Sequence, residues 1–359
     1  MTVTDSLAIK ICRVVCIFFM TYVHVNPGKA NWTGDVSENL IQIGYILGDV
    51  LGIASVPALS VLGGFLAVAA YSRRGSWWLY IKERWQSLIL PLITWNAIII
   101  VLSLLIFFLT RAQTSITRHL MPFNQLTPLI IIDRLTGYYY GSATTALNFL
   151  RDIFICSVLL PLLIKFIKKF GVAIIGIIWF AGLTIGFLPI IIRPNILIFF
   201  TAGVYFGLHN KNLTPSLECT FKLFAALFLA FLLVILIPTF WSSYSKNLSN
   251  TAFQLIIVSC FLIGTVALSK SRIGKLIARL EPFAYLMFLS HATIMLVLWG
   301  IWQIFFGADL TWPYSVFFIT APFATLIVVI ILHKVLANLP HSIQRIFNGK
   351  VISRSNNYK

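Results

Sequence analysis

The chain has 359 residues, 59% of them hydrophobic and only 10% charged, with 30 phenylalanines. A water-soluble protein carries about a quarter charged residues, so the composition excludes a soluble globular domain and reads as an all-α, polytopic membrane protein. The net charge of +17 would suit a nucleic-acid binder, but the basic residues are dispersed between apolar runs, and no nucleic-acid partner is expected.

Ten apolar segments are read as crossings, over residues 7–26, 41–70, 87–109, 146–164, 171–190, 196–210, 221–240, 251–268, 283–303 and 315–336. The first carries Arg13 and His24, eleven residues apart. At about 100° and 1.5 Å per residue the two share one face and stand roughly 16 Å apart along the axis. Ionisable side chains within such a segment mark a pathway or a site, although Arg13 also suits an inside-flank anchor and His24 an interfacial residue. Lys10 and Arg13 before a short apolar run resemble a signal peptide; no small-x-small cleavage site follows cleanly, and the segment is read as retained. The second segment contains Gly48, Gly52, Pro57, Gly63 and Gly64, which predict a kinked or partly unwound helix, and it holds Asp49 in its outer half, within reach of His24 on topology. Arg73 and Arg74 follow it directly, as positive-inside anchors or as a bidentate site for phosphates.

The loop of about residues 110–145 contains Tyr138-Tyr139-Tyr140-Gly141, as a cover over a site or an interfacial aromatic belt. Arg151-Asp152 lies early in the fourth segment, as a buried ion pair or a functional one. The sixth segment is short and follows Arg193-Pro194. His291 lies near the middle of the ninth, as a packing residue or a site residue. With the N-terminus inside, 20 of the 27 lysines and arginines fall on the cytoplasmic side. That bias predicts both termini in the cytoplasm and an even number of crossings. One transmembrane domain is expected over residues 1–340, with a basic cytoplasmic tail over 341–359.

Cys12, Cys16, Cys156, Cys219 and Cys260 lie in or beside crossings and read as apolar filler. There is no Gly-x-x-x-x-Gly-Lys-Ser/Thr loop, His-Glu-x-x-His cluster or Gly-x-Ser-x-Gly elbow, so the sequence offers no nucleotidase, zinc-protease or serine-hydrolase signature, and no metal is expected. The ten carboxylates are too sparse for an ion-driven relay. Broken helices and buried charges leave a secondary transporter or glycan translocase as an alternative class.

Several stretches together resemble the acyltransferase 3 family of ten-helix bacterial membrane proteins. They are Arg13 with His24, Val56-Pro57-Ala58-Leu59-Ser60-Val61-Leu62-Gly63-Gly64-Phe65-Leu66, the basic pair Arg73-Arg74, Leu147-Asn148-Phe149-Leu150-Arg151-Asp152, and Tyr285-Leu286-Met287-Phe288-Leu289-Ser290-His291. Gly63 departs from the serine, and Asn148 from the tryptophan, usual in the corresponding family segments. No counterpart of the hydrolase-like domain of longer members is expected. The resemblance implies an O-acyltransferase of the bacterial inner membrane that uses a cytoplasmic acyl-coenzyme A, acetyl or succinyl, as donor. The acceptor would be a hydroxyl of a cell-surface or lipid-linked glycan, with a polysaccharide biosynthesis complex as a further partner. It places His24 as general base or transient acyl carrier, Asp49 as its orienting partner, His291 as a lining residue, Arg151 as the positive group for a developing oxyanion, and Arg73 and Arg74, with Arg13, on the coenzyme A phosphates.

Overall fold

The computed structural model describes residues 2–27, 36–110, 127–139, 141–184, 190–209, 243–307, 310 and 312–352. The seventh expected crossing, 221–240, lies outside them, as do Tyr140, Cys219 and most of the 110–145 loop. Every regular element among the described residues is helical. Among the described residues, five helices are long and apolar enough to cross a membrane: α1 (Val3–Val23), α2 (Glu38–Arg74), α3 (Trp77–Phe108), α11 (Glu281–Phe306) and α12 (Trp312–Ala337). A sixth arises if α9 (Ser243–Ser269) and α10 (Arg272–Ala278), bent by 107°, count as one span.

The other expected crossings are shorter or divided. The fourth is two eleven-residue helices, α5 (Asn148–Val158) and α6 (Leu160–Phe170), which meet at Leu159. Pro161 lacks the N–H that would reach the Ser157 carbonyl, so the ladder is interrupted there. The fifth and sixth are α7 (Ala173–Thr184) and α8 (Pro194–His209), short of the roughly 20 residues of a straight crossing. Between α3 and α5 lies α4 (Pro128–Thr136), and α13 (His341–Asn348) occupies the segment read as the tail. The indole of Trp95 in α3 donates to the Phe347 carbonyl at 3.0 Å, which docks α13 on the bundle.

The glycines and proline of α2 do not unwind it. The chain stays helical from Glu38 to Arg74, and Tyr45–Gly52 widens into a π turn carrying Asp49. Gly64 and Gly203 have a separate purpose. A Cβ on Gly64 would run into the Phe200 backbone of α8, and one on Gly203 into the Val61 backbone of α2. Only glycine permits two helix backbones this close, the small-residue packing of membrane helices. On α12, Phe323, Ile327, Ile331 and Val335 are exposed at four-residue spacing, a continuous apolar stripe suited to lipid.

α1 and α11 run parallel and in register. Thr2 and Asp5 close a capping box at the start of α1. Arg13 then meets Glu281, the first residue of α11, at 3.2 Å, and His24 meets His291 with ring centroids 5.1 Å apart. The steps between the two contacts are eleven residues on α1 and ten on α11, about 16 and 15 Å, so the two helices hold one register between them.

Candidate active site

His24 is the C-cap of α1. Its N–H bonds the Thr21 carbonyl at 3.0 Å, and Pro27 follows three residues on, so the helix stops there and presents the imidazole at its end. The ring makes no hydrogen bond among the described residues. It lines two cavities at once. The larger, of about 570 Å³, is walled by Val56 and Pro57 of α2, Trp179 of α7, Arg193 and Asn195 at the start of α8, and Gln254 of α9. The smaller, of about 180 Å³, is walled by Ser103 of α3, Thr144 and Thr145 before α5, and Ala292 and Leu296 of α11.

His291 is fully buried behind His24. Its Nδ1 lies 2.8 Å from the Phe288 carbonyl and 3.1 Å from that of Met287. Carbonyl oxygens only accept, so Nδ1 carries the proton and Nε2 a bare lone pair. That Nε2 is buried and has no partner among the described residues.

Arg151 and Asp152 form a buried ion pair at 3.4 Å. Neither lines the cavities; they build the turn that leads into one. The Asp152 carboxylate accepts from the backbone N–H of Ile192 at 3.3 Å and of Arg193 at 3.1 Å, while Arg151 donates to the Ile190 carbonyl at 3.1 Å. A carboxylate on these amides, with Pro194 as the first helical residue, fixes the entry to α8. Arg193 is thereby held at the wall of the larger cavity, where its guanidinium makes no hydrogen bond among the described residues. The Asn195 amide beside it donates to Gln254 at 2.8 Å.

Of the seven residues singled out in the sequence, the structure brings His24 and His291 together. Asp49 lies half-buried in the π turn of α2 and makes no hydrogen bond or ion pair with His24. Arg13 is committed to Glu281. Arg73 donates to the Ala69 carbonyl, and Arg74 pairs with Glu83, both on an exposed helix end away from the cavities. From Val56 at the cavity to Arg73 is seventeen residues of helix, about 26 Å. Arg193 was not among the site candidates. Its signal was present: a lone cation between Ile190-Ile191-Ile192 and Pro194 in an otherwise apolar stretch.

Membrane-length helices surround two cavities that share the His24 imidazole, the architecture of a helical membrane protein with a central site. The family model described as "Acyltransferase domain" matches residues 6–334, and the chain belongs to this acyltransferase 3 family. It is also similar to the "Succinoglycan biosynthesis protein ExoH" of Rhizobium meliloti (strain 1021), at 25% identity over 354 residues, covering 96% of this chain and 92% of the relative. No solved structure gives a significant match.

Proposed function

We propose that the protein transfers an acetyl or succinyl group from cytoplasmic acyl-coenzyme A to a hydroxyl of a cell-surface or lipid-linked glycan, in the bacterial inner membrane and with both termini cytoplasmic. The observation that carries this reading is the imidazole of His24, which makes no hydrogen bond among the described residues and opens to both cavities. Family membership supports acyl transfer, and the relative named for succinoglycan biosynthesis supports a polysaccharide acceptor.

His24 takes the proton of the acceptor hydroxyl as its oxygen attacks the thioester carbonyl carbon. The C–S bond then breaks, and the proton passes from the imidazolium to the leaving thiolate, giving the ester and free coenzyme A. In the two-step variant the imidazole nitrogen attacks first, releases coenzyme A and hands the acyl group to the hydroxyl. The oxyanion of either tetrahedral intermediate needs a positive partner, and Arg193 faces the cavity where Arg151 does not. Arg151 and Asp152 act as positioning residues for Arg193. Arg73 and Arg74, with Arg13, hold the donor phosphates at the inner face, and His291 backs the His24 ring.

The test is purified protein in liposomes with radiolabelled acetyl- and succinyl-coenzyme A and glycan from the native host, wild type against His24→Ala. Label on the glycan that disappears in a folded His24→Ala variant is the expected result. Untouched donor, with glycan moved across the same liposomes, would replace the acyltransferase by a carrier.

A further inference from the structure

The smaller cavity differs in chemistry from the larger. Its lining includes no Asp, Glu, Lys or Arg among the described residues, whereas the larger one contains Arg193. It does include two hydroxyls without partners among the described residues: Ser103 Oγ and Thr144 Oγ1 are both buried and make no hydrogen bond there. In a membrane helix a serine or threonine ordinarily satisfies its hydroxyl on its own helix, four residues back. Ser55, Ser60, Ser157, Thr201 and Ser290 all do so, at 2.7 to 2.9 Å. Ser103 does not.

Nor is Thr144 left to chance. Its N–H donates to the fully buried Asn96 amide at 3.1 Å, and Asn96 lies seven residues before Ser103, two turns along the same face of α3. The amide of Asn96 also donates to the Leu135 carbonyl at 2.9 Å, so one side chain pins both α4 and the segment before α5 against α3. Buried hydroxyls without partners are destabilising, and a pair of them held by such a scaffold at a cavity wall is the arrangement expected of a polar ligand site.

We propose that this cavity is the acceptor subsite and that it takes an uncharged sugar unit, whose hydroxyls exchange hydrogen bonds with Ser103 and Thr144 while one of them faces His24. The assignment rests on the acyl-transfer reading above. It adds the side from which the acceptor enters, opposite Arg193, and it requires the reacting sugar to be neutral, since the lining holds no cation among the described residues to offset a carboxylate.

The experiment uses full-length protein in lipid nanodiscs, with a radiolabelled alkyl β-glucoside, the matching galactoside and the matching glucuronide as acceptor probes. Equilibrium binding is read without donor, and acceptor and donor KM are read with acyl-coenzyme A. Ser103→Ala and Thr144→Val should each weaken hexoside binding and raise acceptor KM about fivefold, the loss of one hydrogen bond. Donor KM should move less than twofold, and Thr144→Ser should restore the wild-type value. Both truncations remove an unsatisfied buried hydroxyl, so neither should lower the thermal midpoint. A cavity that merely holds structural water predicts the opposite, a lower midpoint with unchanged acceptor KM, and that result overturns the subsite. Hexosides that neither bind nor accept label, or a glucuronide that binds as well as they do, would overturn it too. Wild-type protein that binds the hexosides but transfers nothing from any donor would remove the acyltransferase reading and leave the sugar site standing.

Discussion

Asp152→Asn exchanges one oxygen for an amide nitrogen of the same shape, so its effect is electrostatic. The carboxylate has three partners: the Arg151 guanidinium at 3.4 Å, the Ile192 N–H at 3.3 Å and the Arg193 N–H at 3.1 Å. An asparagine keeps one acceptor oxygen and turns a donor toward a second donor. Removing one member of a buried ion pair costs about 3–5 kcal/mol. Arg151 keeps its bond to the Ile190 carbonyl, so the lower end applies, about 3 kcal/mol. In a chain of 359 residues that is a fall of roughly 4 °C in apparent thermal midpoint. Transfer should fall with it, because the turn that holds Arg193 loosens. The control is Arg193→Gln, which should leave the midpoint within about 1 °C, since that guanidinium holds no hydrogen bond among the described residues, while lowering turnover at least about a hundredfold. The double substitution Arg151→Met with Asp152→Leu removes both charges together and should be more stable than either single change. A double variant as unstable as the sum of the two singles, or an Asp152→Asn variant within 1 °C of wild type, would refute the account of this turn.

Other outcomes follow from the packing and the site. Gly64→Ala and Gly203→Ala should each cost more than about 2 kcal/mol in detergent unfolding, because their new Cβ meets backbone that cannot move aside. Gly63→Ser should fold normally: its Cβ would have its nearest neighbour in Ile153 Cδ1 at 3.6 Å, an ordinary contact. His291→Phe preserves an aromatic ring behind His24 and should hold the thermal midpoint while lowering turnover about tenfold, measured as coenzyme A release. Arg74→Ala breaks an ion pair whose side chains are about half exposed, so the midpoint should not move, whereas donor KM should rise severalfold.

What was legible in the sequence is what composition and spacing encode locally. Helical class, membrane character and the stripe from Arg13 to His24 rest on apolar run length and on 3.6-residue periodicity, both properties of a single segment. The glycines of the second segment were read as kinks because sequence shows conformational freedom, not the neighbour that requires it; Gly64 proves to be a contact point for α8. The ring that meets His24 was hidden for the same reason. Asp49 is closer along the chain and better suited chemically, yet His291 meets the ring, because parallel packing of α1 and α11 is set by contacts across more than 250 residues. Arg193 escaped notice because its orientation depends on a carboxylate forty-one residues away. The long crossings were easier to bound than the short ones: α5 and α6 end at breaks of one and two residues, which a hydropathy window averages out.

Arg13 illustrates how two roles for one side chain are separated. Its pair with Glu281 lies at the far end of the two helices that carry His24 and His291 at the near end, so the pair sets the register on which the ring contact depends. Its side chains are 40% and 21% exposed, and after allowance for solvent screening its contribution is at most about 1 kcal/mol. Arg13→Ala alone therefore cannot distinguish a register contact from a phosphate ligand, since either loss lowers activity with little change in stability. The charge swap Arg13→Glu with Glu281→Arg does distinguish them. It restores a pair of opposite charges between the same two helix positions, although it places a cation at the N-terminus of α11, where the helix dipole disfavours one by some tenths of a kcal/mol. If the pair serves register, the swapped protein recovers both the midpoint and the turnover that each single reversal loses. If Arg13 also holds the donor phosphates, the midpoint recovers but donor KM stays high, because the glutamate now at position 13 repels the anion the arginine attracted. Recovery of stability with persistent loss of donor affinity is the expected result, and full recovery of donor KM would remove Arg13 from the donor site.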